Sequence, residues 1–112
     1  MNHPLLSIAI PTYNRYKNLY VLLGKLNDQL VSSKLADYIE ILISDNASTD
    51  STANTIKQFV SNHPHLKISV NTNNANLGCN RNLLKLFELS KGEYLWQMGD
   101  DDYPEASAVE KV

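Results

Sequence analysis

The sequence predicts an α/β domain of three layers, a mainly parallel sheet of about four strands between helices. Short apolar runs alternate with segments whose apolar residues recur at helical spacing. The strand-to-strand repeat is about thirty residues, the length of a βαβ unit. Each apolar run is also followed by a polar loop, as expected where parallel strands all end on one rim.

Residues 5–10 are a short apolar run, and Pro11, which has no N–H for a sheet ladder, marks the end of this strand. Leu19, Leu22, Leu23, Leu26 and Leu30 share one helical face and predict a helix over residues 17–31. Residues 38–43, rich in isoleucine, predict a second strand closed by Ser44, Asp45 and Asn46. Asp50 or Ser51 caps a helix with the inward face Ala53, Ile56, Phe59 and Val60, ended by His63 and Pro64. Residues 66–70 predict a third strand, followed by a polar, asparagine-rich loop at 71–76. After Gly78, a helix over residues 80–90 has Leu83, Leu84, Leu86 and Phe87 available for burial, and Gly92 lies just past its end. Residues 94–98 predict the fourth strand, and Pro104 opens one more helix with Val109 and Val112 on its apolar side.

The 112 residues are read as one domain. With 43% hydrophobic and 20% charged residues the composition is that of a globular protein, which excludes a disordered chain. A net charge of −2 gives no footprint for nucleic acid or anionic lipid. The single cysteine, Cys79, cannot form an internal disulfide; it is read as a small residue in a packed turn and fits a reducing cytosol. No stretch reaches the roughly eighteen apolar residues of a membrane-spanning helix, and the N-terminus lacks the pattern of a signal peptide. A cytoplasmic location is therefore expected, with membrane association left open for a longer protein. His3, His63 and His65 lack metal-ligand spacing and are expected to face solvent.

Loops 11–15, 44–50, 71–78 and 99–103 all follow strands, so the unusual residues share one rim. These are Asp45, Asp100, Asp101 and Asp102, the cations Arg15 and Arg81, and the polar groups of Thr12, Asn14, Asn46 and Ser48. Three adjacent carboxylates repel one another and call for a compensating cation, most simply a hard divalent metal held by oxygens. Acids beside arginines suit a metal with a phosphate ligand, as in a nucleoside diphosphate. Arg15 and Arg81 are equally readable as surface cations. Asp45 can accept the imide N–H of uracil, or, like Asp50, serve in capping and turn formation. Tyr13 either stacks on a base or covers the sheet end. A glycine-rich dinucleotide turn and a P-loop are both missing, and the first loop lacks the acids of a phospho-acceptor domain.

Four stretches together resemble the nucleotide-binding half of a family 2 glycosyltransferase with the GT-A fold. They are SIAIPTYNR at 7–15, ILISDNASTDST at 41–52, NLGCNRN at 76–82 and KGEYLWQMGDDD at 91–102. The resemblance implies transfer of a sugar, with inversion, from a nucleotide-sugar donor, usually uridine-linked, to a hydroxyl of a saccharide or lipid-linked acceptor. Cell-envelope polysaccharide synthesis is the implied setting. It further implies that Pro11, Thr12 and Tyr13 line the nucleoside pocket with Arg15 and Asn46 nearby, that Asp45 binds the base, and that the acidic motif holds Mg²⁺ or Mn²⁺. Aligned on the preceding strand, Gly99 stands where the motif's first aspartate is usual. Asp101 is then the main metal ligand, Asp102 a helper and Asp100 the ribose contact, with a register using Asp100 and Asp102 as the alternative. Arg81 is matched across a segment that is longer than usual. The family's general base is expected beyond residue 112, so the chain alone is expected to turn over little. A different class of reading is a non-catalytic module that self-associates through an open sheet edge.

Overall fold

A computed structural model describes residues 4–100. The elements are β1 (Leu6–Thr12), α1 (Tyr16–Ser33), β2 (Ile39–Asp45), α2 (Thr52–Asn62), β3 (Lys67–Thr72), α3 (Cys79–Leu89) and β4 (Tyr94–Gln97). The four strands are parallel in the order β3-β2-β1-β4, so the first two strands are central and the last two lie at the edges. The helix expected from Pro104 lies outside the described residues.

Side-chain alternation along β1 and β2 divides the interior unequally. On one face Leu6, Ile8, Ile10, Ile39, Ile41 and Ile43 meet the five leucines of α1 and Ile56 and Phe59 of α2. On the other, Ala9 and Leu42 meet Leu86 of α3, with Leu83 and Leu95 packed at the margin. The outcome is the expected three layers, one thick and one thin. The thin layer overturns part of the expected burial: Leu84 and Phe87 are 57% and 47% exposed, because α3 turns only a narrow side to the sheet. In α2, Ala53 is likewise exposed and Thr52 is buried in its place.

Pro11 does not end its strand. β1 continues to Thr12, pairing Pro11 with Ser44 and Thr12 with Asp45. The Ala9 carbonyl accepts from Met98 N–H, and the Thr12 carbonyl from Asn46 N–H, so odd-numbered residues of this stretch face β4. Pairing with β4 stops at Ala9 and Gln97, and a proline one step further loses no ladder bond.

Gly92 also has a different cause from a helix terminus, since α3 already ends at Leu89 and Ser90 is extended. A Cβ at Gly92 would lie 2.5 Å from Ser7 N and 2.8 Å from Leu6 C. This close approach lets Gly92 N–H donate to Ser7 Oγ at 2.8 Å, while Ser7 Oγ donates to the buried Glu40 carboxylate at 2.5 Å. Glu40 also accepts Lys91 N–H at 3.1 Å, so the chain is tied to the lower sheet just before β4 begins.

Candidate functional site

At the opposite end of the sheet the strand tips are held level by backbone bonds that run one step past the ladder. Asn46 N–H donates to Thr12 O at 3.0 Å, and Asn73 N–H to Asp45 O at 2.9 Å. Around these tips lies a cavity of about 270 Å³, lined by Pro11, Thr12, Tyr13, Arg15, Asn46, Cys79, Asn82 and Asp100. Six of these eight are residues that sequence reasoning placed at the site.

The cavity joins β1 to the chain after β4 through polar contacts. Thr12 Oγ1 donates to Asp100 Oδ2 at 2.9 Å, and Arg15 Nε lies 3.9 Å from Asp100 Oδ1. The Asp100 side chain is 12% exposed and that of Arg15 53%. A half-exposed ion pair of this length adds little stability, but it holds a cation and a carboxylate at one opening. A planar guanidinium is well suited to phosphate oxygens. The exposed ring of Tyr13 is available for stacking.

Asn14 supports the cavity rather than lining it. Its φ of +52° is left-handed, a region asparagine tolerates better than most residues. From there its backbone N–H donates to Ser48 Oγ, and its Oδ1 accepts Thr49 N–H at 2.8 Å and Asp50 N–H at 3.3 Å. The loops after β1 and β2 are thereby clamped together.

Two of the expected site residues, Asp45 and Arg81, are not part of this lining. Asp45 is buried, its Oδ1 accepting both Ser48 N–H at 3.1 Å and Ser48 Oγ–H at 2.5 Å. It lines a neighbouring groove of about 330 Å³ between α2 and β3, with Lys57, Val70 and Thr72, whereas the next residue, Asn46, reaches the Tyr13 cavity. Asp50, expected to serve in capping and turn formation, precedes the N-cap Ser51 of α2 and accepts Thr52 N–H at 2.9 Å and the Thr52 hydroxyl at 2.5 Å. Arg81 is exposed on the first turn of α3 and is not part of the lining, but Cys79, two residues earlier, is. Cys79 is exposed rather than packed. Asp101 and Asp102 lie outside the described residues.

Sequence reasoning named Asn46 but missed Asn82, which also lines the cavity, and Asn73, which lies outside the lining. Asn46, Asn73 and Asn82 are all buried, the Asn73 amide donating to both of the others, with Ser44 and Asn76 as further partners. The signal was visible as six asparagines between residues 71 and 82. Their burial, against the usual exposure of asparagine, was not.

Asp100 is a hard oxygen donor of the kind Mg²⁺ or Mn²⁺ prefers. Among the described residues no three His, Cys, Asp or Glu side chains come together. Among the described residues no helix is long and apolar enough to cross a membrane.

A family model described as Glycosyl transferase family 2 matches residues 7–112, nearly the whole chain. The chain belongs to this family. Among its relatives, the abequosyltransferase RfbV of Salmonella typhimurium is 44% identical over 98 residues, covering 88% of this chain and 28% of that protein. The chondroitin synthase of Escherichia coli is 31% identical, covering 96% of this chain and 14% of that one. The chain thus spans under a third of the length of either relative. Among solved structures, the mannosyltransferase PcManGT from Pyrobaculum calidifontis, in complex with GDP-Man and Mn²⁺, matches with a TM-score of 0.85 at 22% identity. It covers 96% of this chain and 30% of that one. TarS from S. aureus in complex with UDP matches with a TM-score of 0.83 at 23% identity, covering 95% and 30%. The family 2 chain therefore has the fold of the corresponding part of GT-A glycosyltransferases.

Proposed function

We propose that the strand-tip cavity binds the nucleoside diphosphate of a sugar donor, and that the chain is the donor-binding part of a glycosyltransferase. The observation that carries this reading is the meeting of an aromatic ring, a guanidinium and a carboxylate, Tyr13, Arg15 and Asp100, around one cavity at the carboxyl ends of parallel strands. Tyr13 and Pro11 hold the nucleoside, Thr12 fixes Asp100 toward the ribose, and Arg15 reaches the diphosphate. Arg81 is a second phosphate cation at the margin. Asp45 serves the base from the adjoining groove, and Asn46 lies between the two. Asp101, with Asp102, would hold Mg²⁺ or Mn²⁺. When bound, the metal would act as a Lewis acid on the diphosphate leaving group.

The sugar passes from the donor, most simply a UDP-sugar, to a hydroxyl of a saccharide or lipid-linked acceptor with inversion. Relatives named as synthases of chondroitin and hyaluronan support a polysaccharide product, in keeping with a cell-envelope role. The chain spans 28% and 14% of the length of the RfbV and Escherichia coli chondroitin synthase relatives, so donor binding is the part of the transfer reaction assigned to it. Calorimetric titration with UDP, GDP, CDP and dTDP, each with Mn²⁺ or with EDTA, tests the reading. Metal-dependent binding of one diphosphate that Asp101→Asn weakens is expected. No binding of any of the four overturns it.

A second reading, self-association, is favoured by the edge position of β3 and β4 and by the exposed Leu84 and Phe87. Light scattering across a concentration series would show dimers if it holds and a strict monomer if it does not.

A further inference from the structure

The buried amides under the cavity have a fixed polarity. Asn73 Nδ2 has two N–H groups, and they go to Asn46 Oδ1 at 3.0 Å and Asn82 Oδ1 at 2.9 Å. Each of those oxygens takes a second donor, Leu77 N–H at 2.9 Å for Asn46 and Ser44 Oγ–H at 2.6 Å for Asn82. A carbonyl oxygen has two lone pairs, so both acceptors are filled. Each Nδ2 spends one N–H within the described residues, Asn46 on Asn76 Oδ1 at 2.8 Å and Asn82 on Ser44 O at 3.0 Å. One N–H of each amide remains, and both residues line the cavity. The side-chain amides of these two lining residues can therefore still donate and cannot accept.

We infer that Asn73 is a positioning residue that sets this polarity, so that the wall formed by Asn46 and Asn82 selects ligand oxygens that accept hydrogen bonds. Asn73 is not part of the cavity lining and acts only through its two neighbours. The acceptor is a carbonyl of the nucleobase or an oxygen of the phosphates. The inference deepens the nucleotide reading above and rests on it. It also explains why residue 73 must be an amide. Aspartate has the same shape, but its ionised form has no donor and would set a carboxylate against two carbonyl oxygens. Restoring those bonds requires both neighbours to flip, which turns their acceptors toward other partners and reverses the wall.

The test compares Asn73→Asp with Asn71→Ala by calorimetry and thermal unfolding. Asn71 Nδ2 donates to Asn73 Oδ1 and to Ser44 Oγ, both at 2.9 Å, so its removal damages the same network but leaves the two Asn73 donor bonds in place. The probes are UDP and uridine, or the diphosphate and nucleoside of whichever base binds best. Both variants are expected to unfold at lower temperature. Only Asn73→Asp should lose about tenfold or more in UDP affinity, while Asn71→Ala stays within about twofold. An equal loss for uridine places the acceptor on the base, and a loss for UDP alone places it on the phosphates. Affinities that simply follow the unfolding temperatures, or an Asn73→Asp that binds normally, overturn the inference. Should Asn73→Asp fail to fold, side-chain amide NMR of the unmodified protein decides. Added UDP should shift the Asn46 and Asn82 NH₂ signals. Shifts at Tyr13 and Arg15 with those two unmoved overturn the role of Asn73 alone, and no shift anywhere overturns the nucleotide reading beneath it.

Discussion

Thr12 and Asp100, 88 positions apart, meet through a 2.9 Å hydrogen bond from the threonine hydroxyl to Asp100 Oδ2. The bond ties the tip of the central strand β1 to the first carboxylate after the edge strand β4. Parallel pairing brings both tips to one rim, and the hydroxyl then fixes how the carboxylate points. Thr12→Val keeps the shape and removes the donor. A hydrogen bond to a charged group is worth about 1.5–3 kcal/mol. Part of that is recovered here by water and by Arg15, so a roughly threefold to tenfold loss of nucleotide affinity is expected from calorimetry. Unchanged affinity would remove Asp100 orientation from the account.

Gly92→Ala should lower stability without touching the strand-tip cavity. The new methyl would meet Ser7 N at 2.5 Å and Leu6 C at 2.8 Å, and both are backbone atoms of a central strand that cannot turn aside. Overpacking of this kind costs about 1–3 kcal/mol or somewhat more, so thermal unfolding should shift down by about 5 °C or more. An unfolding temperature equal to that of the unsubstituted chain would contradict the close approach of residue 92 to β1.

The sheet was legible because β1 and β2 are announced by isoleucine- and leucine-rich runs, β3 and β4 by shorter apolar segments, and the buried faces of α1 and α2 by apolar residues at helical spacing. Proline ends a strand only where its N–H would have had a partner, and beside the shorter β4 the N–H missing from Pro11 has none to lose. The exposure of Leu84 and Phe87 has another cause. Apolar spacing shows what a helix can bury, and only the layer it meets shows what it does bury. The rim residues were legible from topology alone, since every loop after a parallel strand ends on the same side. The separation of Asp45 from Asn46 into adjoining cavities depends on strand pleat at a tip. The asparagine network depends on side chains 27 and 9 positions apart in the chain, beyond any local pattern.

Asn14 separates backbone from side-chain contributions to the loop clamp. Asn14→Gly keeps the left-handed conformation and loses the bonds to Thr49 and Asp50, whereas Asn14→Ala loses the bonds and also strains a φ of +52°. Alanine is therefore expected to be less stable than glycine by about 1 kcal/mol in denaturant unfolding, the cost of placing a Cβ in that region. An alanine variant at least as stable as the glycine variant would argue that the loop relaxes out of this conformation.

Paramagnetic broadening by Mn²⁺ tests the central claim most directly, because it locates a metal with its nucleotide on the molecule without requiring turnover. With UDP, or the diphosphate that binds best, substoichiometric Mn²⁺ should broaden the backbone amide signals of Thr12, Tyr13, Asn46, Cys79, Asn82 and Asp100 first. Signals of Tyr20 and Gln58, in the groove between α1 and α2, should stay sharp. Broadening centred on that groove, or none at the strand tips in the presence of nucleotide, would contradict the assignment of a nucleotide-diphosphate site to this cavity.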